Sequence, residues 1–411
     1  MCFSLILIAQ CINAVTVDVV PGVDSLEMAI AGAAVGDTLQ LQNGDYFGPV
    51  IVDRTLNIIG SGKSIVDGGG KGRVITIAAA DSIVKNITIR NSGIDLSEED
   101  SGIFVTREAD RALIEGNTLN NNLIGIYLKG PESAIVRGNK ITGNKILRVN
   151  ERGNGIHLWN TPGSIVEGNS VRYGRDGIFV TTSKNNIFRN NRFEDLRFAI
   201  HYMYTNNSEI SGNYSEGNHV AYALMYSSHL KIFNNHSKDD RDRGLFFNYA
   251  NYSTMYGNII EGGPEKCVFI YNSNFNQIKS NVFKQCQIGV HFTAGSEDNQ
   301  ITENAFIANK RQVKYVGSRY LEWSVNGKGN YWTDHTTFDL NGDNIADKAY
   351  QPNNLIDQIV WRHPLAKILV NSPAFHLLQW AQSQFPALYP GGVIDSAPLM
   401  HQPDIASYVN G

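Results

Sequence analysis

Long helical patterns are few in this 411-residue chain, and cysteine, proline and net charge are also in short supply. With 39 glycines and many asparagines in place of helical periodicity, the composition points to short strands and turns. The formal charge of −4 argues against nucleic acid or an anionic membrane surface as the main partner. Outside the N-terminus no apolar run approaches membrane-spanning length, so no transmembrane span is expected in the mature chain. No Lys or Arg precedes Arg54, so the apolar start MCFSLILIAQCINA lacks the basic flank of a secretory leader. It is still read as a leader over residues 1–14, the rival being a buried first strand. Of four cysteines only Cys267 and Cys286 would then remain, and whether they are bonded is open. IIGSGKS (58–64) has Asn57 where a phosphate-binding loop needs glycine, and strand rhythm follows it instead of a helix.

What is present is a repeat. IGIYL, NGIHL, DGIFV, FAIHY, VAYAL, RGLFF, KCVFI and IGVHF align on Gly125, Gly155, Gly177, Ala199, Ala221, Gly244, Cys267 and Gly289, mostly 22 or 23 residues apart. Asn139, Asn169, Asn191, Asn213, Asn235, Asn258 and Asn281 each follow an anchor by fourteen. A fixed period with asparagine at one turn predicts an all-β, right-handed parallel β-helix over 15–335, its coils stacked about 4.8 Å apart with an asparagine ladder. Residues 336–367 read as an Asp/Asn-rich loop with final strands, and 368–411 as an apolar arm. The 30-residue spacing before Gly155 places a loop at KILRVNERG (145–153).

Alternation sends Ile126, Ile156, Ile178 and Ile200, with Leu128, Leu158, Val180 and Tyr202, into the core. Between them an outward column reads Tyr127, His157, Phe179, His201, Ala223, Phe246, Phe269, His291. Its neighbour reads Lys129, Trp159, Thr181, Met203, Met225, Asn248, Tyr271, Thr293. Together they predict one exposed face, and exposed apolar surface of that extent marks a binding site. Met203 and Met225 share a column on consecutive coils, and His201 lies two residues from Met203. Thioether with imidazole suits Cu(I). Equally, methionine and aromatics make an adaptable protein-docking patch. His157 and His291 lie too many coils from His201 to share its ion and read as contact residues.

A carbohydrate-active enzyme is the rival, since such folds cleave or modify acidic polysaccharides with paired carboxylates. The two outward columns contain no Asp, Glu or Arg. The nearest cluster, Asp239 to Arg243, reads as a solvated turn held by local ion pairs. Asp339, Asn341, Asp343 and Asp347 in DLNGDNIAD fit either a structural Ca²⁺ or an ion-free Asx turn. In the arm, Ser372 and Pro373 start a helix ending at Pro386 and carrying Trp380. The remaining arm should lie along a partner or back along the solenoid. Met400 and His401 repeat the soft pair there.

RDGIFVTTSKNNIFRNNRFEDLRFAIHYMYTN, then VAYALMYS, RDRGLFFNYANYS, GNYWTD, DLNGDNIADKAY, HPLAKILVNSPAFHLL and GGVIDSAPLM, closely resemble the NosD family of nitrous oxide reductase maturation proteins. Arg243 departs from the family's pattern, which has histidine there. The resemblance implies a non-enzymatic periplasmic protein held at the inner membrane by an ABC transporter, with NosY as permease and NosF as ATPase. It implies copper supply to nitrous oxide reductase, with the chaperone NosL as donor. Cu(I) would be held transiently by His201, Met203 and Met225. His157, Trp159, Phe179, Phe246, Phe269, Tyr271 and His291, with Trp380, Met400 and His401, would contact partners. A metal-free docking scaffold remains the alternative beside the enzyme.

Overall fold

The computed structural model describes residues 14–315, 317, 319–385 and 391–404; the expected leader, apart from Ala14, lies outside them. The chain winds into a parallel β-solenoid whose three sheets carry thirteen, twelve and thirteen strands. Every pairing along these sheets is parallel, with residues one coil apart in register, as in Ile156↔Ile178↔Ile200. Both predicted inward columns are core: Ile126, Ile156, Leu158, Ile178, Val180, Ile200 and Tyr202 are all buried.

The asparagine ladder forms as expected. Asn213 accepts at Oδ1 from both the backbone N–H (3.0 Å) and the Nδ2 (3.0 Å) of Asn191. Its own Nδ2 donates to the Phe188 carbonyl at 2.8 Å. The same pattern runs from Asn117 to Asn330, so turn N–H groups that would be buried without partners are satisfied coil by coil. At the first end, α1 (Ser25–Gly32) buries Leu26 and Ile30 over the core.

At the far end the chain returns. Gly392–Ile394 pairs in parallel with Tyr320–Glu322. Asp395, wholly buried, accepts from the Asn330 N–H (2.7 Å) and Trp332 Nε1 (2.7 Å). The last ladder asparagine therefore ends on a carboxylate from the arm, which at 391–400 lies back along the solenoid. Before it come α2 (Leu355–Arg362) and α3 (Pro373–Gln384), the latter capped by the Ser372 hydroxyl as predicted. No helix among the described residues is long and apolar enough to cross a membrane. Cys267 and Cys286 form a disulfide, their Cα atoms 5.7 Å apart.

Candidate functional site

His201 sits mid-strand in Phe198–Met203, between Phe179 and Ala223 on the adjoining coils. Alternation predicts it on an exposed face. It points to that face but is only 8% exposed. The Phe179 and Phe198 rings lie against it at 5.0 and 4.7 Å. Its Nδ1 meets Asp176 Oδ2 at 3.1 Å, and Asp176 is fully buried. Arg197 closes the group with Nε and Nη2 at 2.8 and 2.6 Å from the two carboxylate oxygens. Burial alone would raise the Asp176 pKa, but hydrogen bonds from His201 and Arg197, with the Arg197 charge, hold it below the ordinary carboxylate value.

That arrangement decides the tautomer. An ionised carboxylate only accepts, so Nδ1 carries a proton, and in the neutral ring the lone pair lies on Nε2. Among the described residues Nε2 has no hydrogen-bond partner. Orienting a histidine through its other nitrogen is how carboxylates prepare imidazoles for metal. Thr181, Met203, Met225 and Asn248 are successive register partners, so the two thioethers stand on neighbouring strands with backbones about 4.8 Å apart. Both methionines are half-buried. No three His, Cys, Asp or Glu side chains converge to hold a metal among the described residues. An ion held here would need the thioethers.

The rest of the column is also more covered than predicted, because its rings shield one another. Tyr127 stacks on His157 at 4.2 Å, Phe246 on Phe269 at 5.2 Å, and Phe269 on His291 at 4.7 Å. Tyr127 and Ala223 are buried, while Phe179, Phe246, Phe269 and both histidines are half-buried. Burial, reinforced by Arg175, pushes the His157 imidazole down to about 4. His291 falls to about 4 through burial and the charges of Lys314 and Lys266. Both rings are neutral at pH 7. Trp159 and Tyr271 are exposed, and Trp159 borders a cleft of about 400 Å³ lined by Arg73, Phe104 and Lys129.

The remaining candidates do not join this face. Met400 and His401 lie beside the last coil, where Leu399 bridges Tyr331, five coils or about 24 Å from His201. Trp380 is exposed on α3. Asp339 accepts from the N–H groups of Gly342 and Asn344, Asp343 from Ile345, and Asp347 from Leu340. Asn341 accepts from the Asp343 N–H, so the segment is built as an Asx turn. The Asp239–Arg243 cluster is in part the solvated turn predicted, with Asp239 and Arg241 exposed and Asp242 paired with Arg243 at 3.0 Å, but one member departs from it. Asp240 is buried, accepting from Ser215, Ser237 and the Asn218 N–H, because it replaces an asparagine in a second side-chain ladder.

Sequence reasoning missed Asp176 and Arg197. Strict alternation places Asp176 with Ile178, but the register passes from Asp176↔Phe198 to Ile178↔Ile200 with Gly177 unpaired, and the carboxylate reaches the His201 ring. It also missed the residues after the methionine column. Tyr204, Tyr226 and Tyr249 hold φ of 57°, 50° and 52°, a region that favours glycine or asparagine. They are exposed and stacked at 5.2 Å intervals. Tyrosine recurring at a turn position where Asn160 and Asn272 stand on other coils was the available signal.

A family model described as "Periplasmic copper-binding protein (NosD)" matches residues 137–337. A relative from Pseudomonas aeruginosa, named "Probable ABC transporter binding protein NosD", is 42% identical over 376 residues, 88% of each chain. One of the same name from Stutzerimonas stutzeri is 39% identical over 378 residues, 89% of this chain and 87% of that one. Both are named as binding proteins. Among solved structures, a Yersinia enterocolitica family 28 exopolygalacturonase aligns at a TM-score of 0.51 with 9% identity, over 69% of this chain and 78% of that one. The Streptococcus pneumoniae surface adhesin PfbA aligns at 0.51 with 10% identity, over 72% and 88%. At those identities only the solenoid fold is shared, and that fold serves an enzyme and an adhesin alike. The extent and identity of the relatives settle the assignment: the chain belongs to the NosD family.

Proposed function

We propose that this protein takes part in copper supply in the periplasm, receiving or handing over Cu(I) at His201, Met203 and Met225 while docked on an ABC transporter. The carrying observation is the buried Asp176–Arg197–His201 group, which orients an imidazole two residues from Met203, itself the register partner of Met225. Nitrogen and two sulfurs form a soft donor set, and a set with no thiolate keeps affinity modest enough for the ion to leave. Exchange would proceed by replacing donor-protein ligands one at a time. Trp159, Phe179, Phe246, Phe269 and Tyr271 would help seat the partner. In this reading the transporter comprises NosY and NosF, the donor is NosL, the acceptor is nitrous oxide reductase, and ATP is hydrolysed by the partner.

A polysaccharide-cleaving role has less support. The carboxylate on the His201 ring, Asp176, is buried and held by Arg197, and Glu99 beside Tyr127 is held by Lys129 and Arg73, so neither is a free acid of the kind glycosidic cleavage requires.

Titration of the purified protein with Cu(I) against a competing chelator tests the reading. One equivalent should bind, binding should be lost in the Met203→Ala, Met225→Ala double variant, and it should weaken roughly tenfold in Asp176→Asn. Absence of binding in the unaltered protein would leave a metal-free scaffold.

A further inference from the structure

The aromatic column ends in a group of cations. At the outermost position of the same sheet, Arg243 pairs in register with Lys266, which pairs with Ile288. Arg311 follows on the next coil, its carbonyl accepting from the Gly289 N–H. In the central column, His291 is succeeded by Lys314. Arg243 lies over the Phe246 and Phe269 rings at 4.6 and 5.2 Å, and Arg311 is 6.0 Å from the Trp361 ring of α2.

The acids nearby are largely committed. Asp242 pairs with Arg243 at 3.0 Å and Glu265 with Lys266 at 2.6 Å. Asp357 accepts from the Asn354 N–H as part of the α2 cap. Among the described residues neither Arg311 nor Lys314 forms an ion pair. Lys266 is only 8% exposed and Lys314 is half-buried, so the excess charge is partly withdrawn from water. Two groups register that field. Lys314 is pushed down by burial and then by Lys266 and Arg311, and His291 by burial and then by Lys314 and Lys266. Cations held this way are stabilised by an arriving anion more than exposed ones are.

We propose that this end of the face seats an extended acidic segment of a partner protein, its carboxylates on Arg311 and Lys314 and its apolar side chains along Phe246, Phe269 and His291. Charge favours an acidic occupant. An extended peptide sets alternate side chains on one side at about 6.6 Å, which lets one strand offer acids to the cations and apolar groups to the rings. A uronate polymer fits less well, because sugars bind on open ring faces, whereas Phe246 and Phe269 stack on each other beneath Arg243. This seat does not require His201, Met203 or Met225 to hold a metal.

The test uses the full chain without copper and a short fluorescein-labelled peptide with glutamate at alternate positions, followed by anisotropy. The glutamate peptide should bind, its glutamine counterpart should not, and affinity should fall as salt is raised. Arg311→Glu or Lys314→Glu should weaken binding roughly tenfold, and Lys314→Gln, the milder change, by less. Lys231→Glu, on a different sheet, should leave binding unchanged. Circular dichroism identifies any variant that fails to fold. Equal binding of the glutamine peptide, indifference to Lys314→Glu in folded protein, or equally effective competition by oligogalacturonate would each overturn the proposal.

Discussion

At the scale of single residues, burial and partners decide what each ionisable group does. Asp240 lies inside the turn ladder, and burial raises its pKa from 3.8 to about 6 despite its hydrogen bonds. The folded state therefore holds a proton that the unfolded chain releases near pH 4. Stability is lost as pH rises from about 4 to about 6 and is level beyond, a cost of roughly 3 kcal/mol at pH 7. Asp240→Asn restores a neutral ladder member able to donate. It should be close to neutral in stability at pH 4 and stabilise by up to roughly 3 kcal/mol at pH 7, read by urea denaturation at both. A gain of the same size at both pH values would show that the carboxylate does not titrate as described.

At the scale of elements, a glycine anchor lets a larger residue elsewhere on its coil pack against the strand, as Ile141 does at Gly125 and Phe193 at Gly177. A Cβ on Gly177 would lie 2.4 Å from the Phe193 ring and 2.5 Å from the Ala199 carbonyl oxygen. Two coils that carry alanine at the anchor, Ala199 and Ala221, have Ser215 and Ser237 at the position equivalent to Phe193. The Tyr222 side chain reaches into this region, its hydroxyl donating to the Asn213 carbonyl at 2.9 Å. Gly177→Ala should therefore destabilise by about 1–3 kcal/mol, measured by thermal or urea unfolding. Because Asp176 is the preceding residue, the same change should also weaken Cu(I) binding. An unaltered midpoint would mean that Phe193 can move aside freely.

At the scale of the molecule, the solenoid is a one-dimensional stack in which each coil supports its neighbours, so its ends need closing. The returning arm closes the far end through Asp395. Asp395→Ala would leave the Asn330 N–H and Trp332 Nε1 buried without acceptors, at a cost of about 1–3 kcal/mol. Hydrogen exchange should quicken in the last coils, around 301–332, while protection near Asn191 and Asn213 is kept. Uniform loss along the stack would show that the molecule unfolds as one unit and not from its end.

The period, the asparagine ladder and both core columns could be read directly, because stacking forces equivalent residues into equivalent environments and so writes the fold as a repeat. His201, Met203 and Met225 were legible for the same reason, as departures within a regular column. Alternation predicts which way a side chain points. Only the tertiary structure decided how deeply it lies, which acid reaches it, that Cys267 meets Cys286, and that the arm ends on the ladder. Those outcomes depend on neighbouring rings, on an interruption of register at Gly177, and on contacts such as that of Asn330 with Asp395, which is distant in sequence and outside the repeat.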